Sequence, residues 1–220
     1  MTDSATFARQ RQTMVDCQVR TFDVTDQVLI DRMGHVPREL FVPDRLRPLA
    51  YSDAVLTIPG ASPRKLLVPL VLARMIQALA LKPTDKVLDV GGGCGYSAAV
   101  MAGLCAHVTA LESDPAISDA ARRSFADGGL SNVTVATGPL AAGHPANAPY
   151  DAILINGAVA AGLEPLLAQL VDRGRLVCIE AASGQAIRYD KVGDDLGSRR
   201  LFPAGGVVMA EFAEAPAFAF

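Results

Sequence analysis

The sequence predicts an α/β chain: a mostly parallel sheet with helices on both faces, a C-terminal antiparallel hairpin on the sheet edge, and a helical N-terminal extension. Three observations carry this. From about residue 69 onward, short and nearly continuous apolar runs alternate with helical stretches, the pattern of strands buried on both faces. One such run, Lys86-Val-Leu-Asp-Val, ends directly in a glycine cluster with a helical stretch behind it. Residues 5–50, by contrast, read as helices joined by turns.

Within that extension, apolar positions at 24, 28, 29 and 33 share one helical face, and the helix stops near Gly34 and Pro37. A strand over 86–90 is followed by a helix over 96–104 and a strand over 107–112. Asp114 caps the next helix, with Pro115 in its first turn. Strands over 132–136 and 151–155, a helix over 164–171 and a strand over 175–179 continue the alternation. Segments 185–189 and 206–212 are predicted as the two strands of the terminal hairpin.

Composition bounds the rest. The chain has 220 residues, 50% of them apolar, with 20 Lys+Arg against 23 Asp+Glu and a net charge of −3. That is one domain, long enough to bury roughly 70% of its unfolded surface. Mean hydropathy is +0.28. Even so, no apolar run approaches the ~20 residues of a membrane span, and Pro69 breaks the greasiest stretch, 66–73. Met1-Thr-Asp-Ser shows no basic-then-apolar secretory pattern, so a cytoplasmic location and no membrane partner are expected. Residues 1–85 carry +2 and residues 86–220 carry −5, too mild a bias for a nucleic-acid partner. Cys17, Cys94, Cys105 and Cys178 form no Cys-x-x-Cys pair and stand beside only three histidines. They are expected to be reduced, mostly buried thiols, with no metal site.

The sharpest signal is Val87-Leu-Asp-Val-Gly-Gly-Gly-Cys-Gly-Tyr96. Gly91, Gly93 and Gly95 allow a tight turn and close backbone approach to a ligand, and a helix N-terminus behind them offers free N–H groups. Glu112, about 20 residues on at the end of the next strand, stands where a carboxylate takes both hydroxyls of a ribose. A dinucleotide loop would need a third glycine at position 96, where this chain has Tyr96. An acid, then Gly-x-Gly-x-Gly, then a second acid is the S-adenosylmethionine pattern, for a ligand with a sulfonium and an ammonium but no phosphate. The candidate cofactor residues are therefore Asp89, Gly91, Gly93, Gly95 and Glu112. Asn156 joins them because ligands bind beyond the carboxyl ends of parallel strands. A nicotinamide-dependent oxidoreductase ranks last.

Beyond the loop, Met14-Val-Asp-Cys-Gln-Val-Arg20, Val36-Pro-Arg-Glu-Leu-Phe-Val-Pro43, Leu49-Ala-Tyr-Ser-Asp53, Leu72-Ala-Arg-Met75, Tyr150-Asp-Ala-Ile-Leu154 and Gly174-Arg-Leu-Val177 form a pattern. With these the chain resembles the protein-L-isoaspartate O-methyltransferases over nearly its full length. The resemblance implies a Rossmann-like seven-stranded methyltransferase fold. It divides the chain into 1–65, a helical extension with a substrate loop, and 66–220, an S-adenosylmethionine-binding domain. It further implies methyl transfer from S-adenosylmethionine to the α-carboxylate of isoaspartyl residues, with damaged proteins or peptides as substrate partners.

Two motifs depart from the family. Its Gly-His-Gly-Gln-Thr-Ile-Ser-Gln-Pro substrate loop reads here Gly60-Ala-Ser-Pro-Arg-Lys-Leu-Leu-Val-Pro69, so Lys65 and Leu67 stand at the Thr and Ser positions. Its Gly-Asp-Gly reads Gly138-Pro139-Leu140. No catalytic residue is assigned. Arg64 and Lys65 either hold a carboxylate or form a solvated pair, and Ser62 reads as a turn residue. His107 is expected to be structural, and His144 and Arg199-Arg200 solvated. The alternatives are a methyltransferase for another carboxylate or a specific partner protein, and a non-catalytic cofactor-binding or interaction protein. Leu67 and Leu140 are candidates to plug the glycine-loop cleft. No oligomeric state is assigned.

Overall fold

A computed structural model describes residues 4–61 and 63–213, which leaves Ser62 outside the described residues. Helix α1 (Ser4–Met14) runs into one wider turn over Val15–Val19, and α2 (Gln27–His35) follows. Asp26 caps α2 by accepting from the Leu29 amide at 3.1 Å, so the predicted helix begins three residues later than its apolar periodicity. The β1 (Leu56–Ile58) and β2 (Arg64–Leu66) strands pair antiparallel, bringing Ile58 opposite Arg64. Helix α3 (Pro69–Leu79) then leads into the main sheet.

That sheet consists of β3 (Lys86–Val90), β4 (His107–Glu112), β5 (Val133–Thr137), β6 (Tyr150–Val159), β7 (Leu170–Glu180), β8 (Gln185–Val192) and β9 (Asp195–Pro203). Their order is β5-β4-β3-β6-β7-β8-β9. The first five strands are parallel, whereas β8 and β9 are antiparallel. Helices α4 (Tyr96–Met101), α5 (Pro115–Asp127) and α6 (Glu164–Ala168) connect the parallel strands. The chain reverses direction across the sheet between β3 and β6, opening a crevice at their carboxyl ends.

Alternate strand residues feed two cores. Val87, Val108, Leu154 and Val177 face the larger one with α3, α4, α5 and the N-terminal helices, while Leu88, Leu111, Ile153 and Leu176 face the smaller one. Burial on both faces is why these strands read as continuous apolar runs. The second face is thinly covered: α6 ends at Ala168, short of the predicted 171, and Leu140 and Phe212 complete the layer. Helix α4 likewise ends at Met101 instead of 104.

The terminal hairpin exists, but its second strand is β9, not 206–212. Gly193 and Asp194 form a two-residue turn joining Val192 to Asp195. As the edge strand, β9 leaves Ser198, Arg199 and Arg200 exposed, so it lacks an apolar alternation. The apolar 206–212 segment instead crosses the carboxyl end of β6. It makes one isolated bridge, Val208 to Ala158, and ends in a single turn over Ala210–Phe212. Among the described residues no helix is long and apolar enough to cross a membrane.

Candidate functional site

The glycine loop leaves β3 at the crevice. Gly91 and Gly93 have φ of +67° and +63°, a region costly for any residue with a Cβ, and Gly95 at +96° caps α4. Asp89, one residue inside the strand end, is buried. Its Oδ2 accepts from Ser97 Oγ at 2.6 Å, and its Oδ1 accepts from Asn156 Nδ2 at 2.7 Å. Burial lifts the Asp89 carboxyl to about 6, against the pull of the hydrogen bonds from Ser97 and Asn156. Asn156 comes from β6 and donates also to the Val90 carbonyl at 3.1 Å, so it ties the two central strands where the crevice opens. Cys94 lies in the same loop. Its thiol is pushed up to about 11, first by burial and then by Glu112, and stays protonated at neutral pH.

Glu112 ends β4 beside the loop and is buried. Its Oε1 accepts from Arg64 Nε and from the Ser113 amide, each at 2.8 Å, and forms an ion pair with Arg64 Nη2 at 2.8 Å. Its Oε2 is buried with no hydrogen-bond partner among the described residues. The structure thus brings Asp89, Gly91, Gly93, Gly95, Glu112 and Asn156 to one place, the carboxyl ends of β3, β4 and β6.

Arg64 departs from both sequence-based readings, since it neither faces solvent nor is free to hold a substrate carboxylate. It is buried, and Nη2 also donates to Ser113 Oγ and Glu211 Oε1, each at 2.6 Å. Burial works against its charge, but the bonds to Glu112 and Glu211 outweigh it and hold the guanidinium pKa above its usual value. Ser113 Oγ in turn donates to Glu211 Oε1 at 2.8 Å. Lys65, by contrast, donates from Nζ to Thr57 Oγ1 at 2.7 Å. Among the described residues it is the one charged residue lining a cavity of about 320 Å³ beside Gly157, whose walls include Val55, Leu67, Val71 and Val207.

The loop is covered from above. A Cβ on Gly91 would clash with Met209 Cε and come within 3.2 Å of Leu140 Cδ1, and one on Gly93 would lie 2.7 Å from Ile58 Cδ1. Leu140 is therefore part of the cover, whereas Leu67 lines the neighbouring cavity. Pro139 precedes a single turn over Leu140–Ala142 and brings no carboxylate to the crevice. Met209, Glu211 and Ser113 were not legible as site residues. The apolar run of 206–212 was visible, but it read as a strand.

The other candidates have local roles. His107 pairs with Thr134 Oγ1 at 3.1 Å, His144 is half-buried, and Arg199 and Arg200 are exposed. Cys94, Cys105 and Cys178 are buried and Cys17 is exposed, all four as free thiols.

A seven-stranded sheet with a glycine loop after its central strand and an acid closing the next defines a Rossmann-like methyltransferase. The protein-L-isoaspartate(D-aspartate) O-methyltransferase (PCMT) family matches residues 9–201. A protein-L-isoaspartate O-methyltransferase of Methylorubrum extorquens (strain PA1) is 45% identical over 197 residues, 89% of this chain and 85% of the relative. One from Roseiflexus castenholzii is 39% identical over 198 residues, 89% of each chain. The chain belongs to the protein-L-isoaspartate(D-aspartate) O-methyltransferase family. Solved structures agree on the fold. A protein-L-isoaspartate O-methyltransferase superposes with a TM-score of 0.78 at 24% identity, over 90% of this chain and 65% of that one. A Plasmodium falciparum β-aspartate methyltransferase, solved with S-adenosyl-L-homocysteine, gives 0.76 at 17% identity over 91% of this chain and 98% of that one.

Proposed function

We propose that the protein is an S-adenosylmethionine-dependent carboxyl O-methyltransferase acting on isoaspartyl residues of damaged proteins or peptides, in the cytoplasm. One observation carries the cofactor assignment: the buried, unpartnered Oε2 of Glu112 beside a loop whose glycines only a close ligand or side chain can approach. A buried acceptor left without a donor costs about 1–3 kcal/mol, so a site that presents one is built for a donor such as a ribose hydroxyl. The residues fit the group, with the ends of the Met209 and Ile58 side chains lying where room for it must be made.

In this reading Glu112 binds the ribose, and Gly91, Gly93 and Gly95 bring the backbone close to the methionyl part. Asp89, oriented by Ser97 and Asn156, orders the loop and presents negative charge toward the ammonium end. Bound S-adenosylmethionine supplies an activated methyl group. The nucleophile is a substrate carboxylate, ionised at neutral pH, so the chain needs no general base. Its task is to align oxygen with the methyl group, where positioning supplies several kcal/mol. Residues 1–65 contribute the extension and substrate loop, and 66–220 the cofactor domain. Lys65, at the cavity beside Gly157, is the cation placed to hold that carboxylate.

A second reading keeps the chemistry and changes the substrate. Four valines line the cavity together with Leu67, which stands where the family keeps a hydroxyl, and this favours a carboxylate with an apolar neighbour. The test is transfer of labelled methyl from S-adenosylmethionine to an isoaspartyl peptide, with the aspartyl peptide as control. Label on the isoaspartyl form alone supports the first reading. Cofactor binding without transfer to either peptide refutes it, and transfer to apolar carboxylic acids then establishes the second.

A further inference from the structure

We propose that Arg64, Met209 and Glu211 set the cofactor affinity of this protein by acting as an intramolecular competitor for its own cofactor cleft. The inference rests on the cofactor reading above. It starts from an imperfect ion pair. An arginine permanently paired with a carboxylate favours the two-pronged arrangement that uses both oxygens. Arg64 instead puts Nε and Nη2 on the single oxygen Oε1 of Glu112, and Oε2 is left buried and unpartnered. The contact blocks the proposed ribose-binding acid without satisfying it.

A second observation lies on the other side of the loop. A Cβ on Gly91 would clash with Met209 Cε, and one on Gly157 would lie 2.5 Å from Met209 Cγ and 2.6 Å from its Sδ. The Met209 thioether therefore rests on the glycine backbone that the cofactor's methionyl part is proposed to approach. Methionine, unbranched and polarizable, can leave such a position by rotamer change alone.

The two contacts belong to one device. Glu211, two residues after Met209, accepts from Arg64 Nη2 at 2.6 Å and from Ser113 Oγ at 2.8 Å. This strap lies beyond residue 201, where the family match ends. It is fastened at separate points: Met209 N to the Ala158 carbonyl at 3.0 Å, Ala158 N to the Val207 carbonyl at 3.4 Å, and Ala160 N to the Phe212 carbonyl at 3.0 Å. Val207 and Val208 between them are exposed, whereas Phe212 is buried as the anchor. From the other side, Ala61 N donates to Asp114 Oδ2 at 2.8 Å, and Ile58 Cδ1 lies 2.7 Å from where a Cβ on Gly93 would stand. Because apparent affinity scales with the fraction of molecules in the competent state, whatever loosens the Arg64–Glu211 contact tightens cofactor binding.

Calorimetric titration of S-adenosylhomocysteine into the full chain tests this with Glu211→Gln, Met209→Ala, Arg64→Met and Arg64→Met/Glu211→Gln, alongside the parent protein. Glu211→Gln and Met209→Ala are each expected to bind about ten-fold tighter, equivalent to about 1.4 kcal/mol, while ligand-free thermal stability falls. In the Arg64→Met background, Glu211→Gln should add nothing to the affinity. Lowered stability with unchanged or weaker affinity in both single variants overturns the competitor role and leaves the cofactor reading standing. Failure of parent and variants alike to bind overturns that reading, and the competitor with it.

Discussion

Asn156 donates its side-chain amide to Asp89 Oδ1 at 2.7 Å, linking the carboxyl ends of β6 and β3 beneath the glycine loop. With Ser97 on the other oxygen at 2.6 Å, the carboxylate has a donor on each side, yet burial dominates and its pKa sits at about 6. A carboxyl whose folded-state pKa exceeds its unfolded value binds protons more tightly when folded. Its contribution to stability is therefore complete below about pH 4 and is lost as pH rises through about 6. A rise of this size is worth about 3 kcal/mol. Urea unfolding of the parent protein and Asp89→Asn between pH 4 and 8 isolates it. The parent should lose stability relative to the variant between pH 4 and 6, then hold constant above about 7. A difference that stays flat with pH would show that Asp89 titrates normally. Asn156→Leu removes a bond that lowers the pKa, so it should move the same window to higher pH.

Glu112→Gln separates the acid's charge from its shape. The ribose hydroxyls would lose charge-assisted bonds worth about 1.5–3 kcal/mol, about a 10- to 100-fold loss of S-adenosylhomocysteine affinity by calorimetry. Arg64 keeps Glu211 and Ser113 as partners, so the variant is expected to fold. Unchanged affinity would remove Glu112 from the cofactor site.

How much of this the sequence shows follows from burial. Strands β3 and β4 match their expected ends because both faces are covered and every residue must be apolar or paired. Strand β9 was missed because an exposed edge imposes no apolar pattern, and 206–212 was misplaced because its apolar residues cover a crevice instead of joining the sheet. The glycine loop and Glu112 are legible because a local spacing carries them. Arg64 is not, since its partner Glu211 lies 147 residues away and no local pattern records the pairing.

The segment between β2 and α3 is held from below by Arg38, which is fully buried. Its Nε donates to the Ala50 carbonyl and its Nη2 to the Leu67 carbonyl, each at 2.8 Å, while the guanidinium lies 4.4 Å from the Tyr96 ring centroid. Arg38→Met keeps the aliphatic stem but strands two buried carbonyls. A loss of about 3 kcal/mol is expected in urea unfolding, with faster amide exchange over residues 64–68. Lysine should rescue little, because one ammonium cannot reproduce the planar fork. Full rescue by lysine would assign the effect to charge alone.

Arg175 performs the matching task under the sheet. Its Nε donates to the Leu79 carbonyl at 2.5 Å, its Nη2 to the Ala80 carbonyl at 2.9 Å and its Nη1 to the Asp151 carbonyl at 3.2 Å, and Nη2 also pairs with Asp85. Helix α3 ends there with Ala80 in the left-handed region at φ +48°, so these bonds satisfy carbonyls the helix leaves open. Removing one partner of a buried pair leaves a charge uncompensated, at about 3–5 kcal/mol. Asp85→Ala and Arg175→Met should each lose about that much by urea unfolding, and the double variant should lose clearly less than their sum. Additive losses would mean that Arg175 acts through the carbonyls alone and that Asp85, which also accepts from the Lys82 amide at 2.8 Å, serves only the turn before β3.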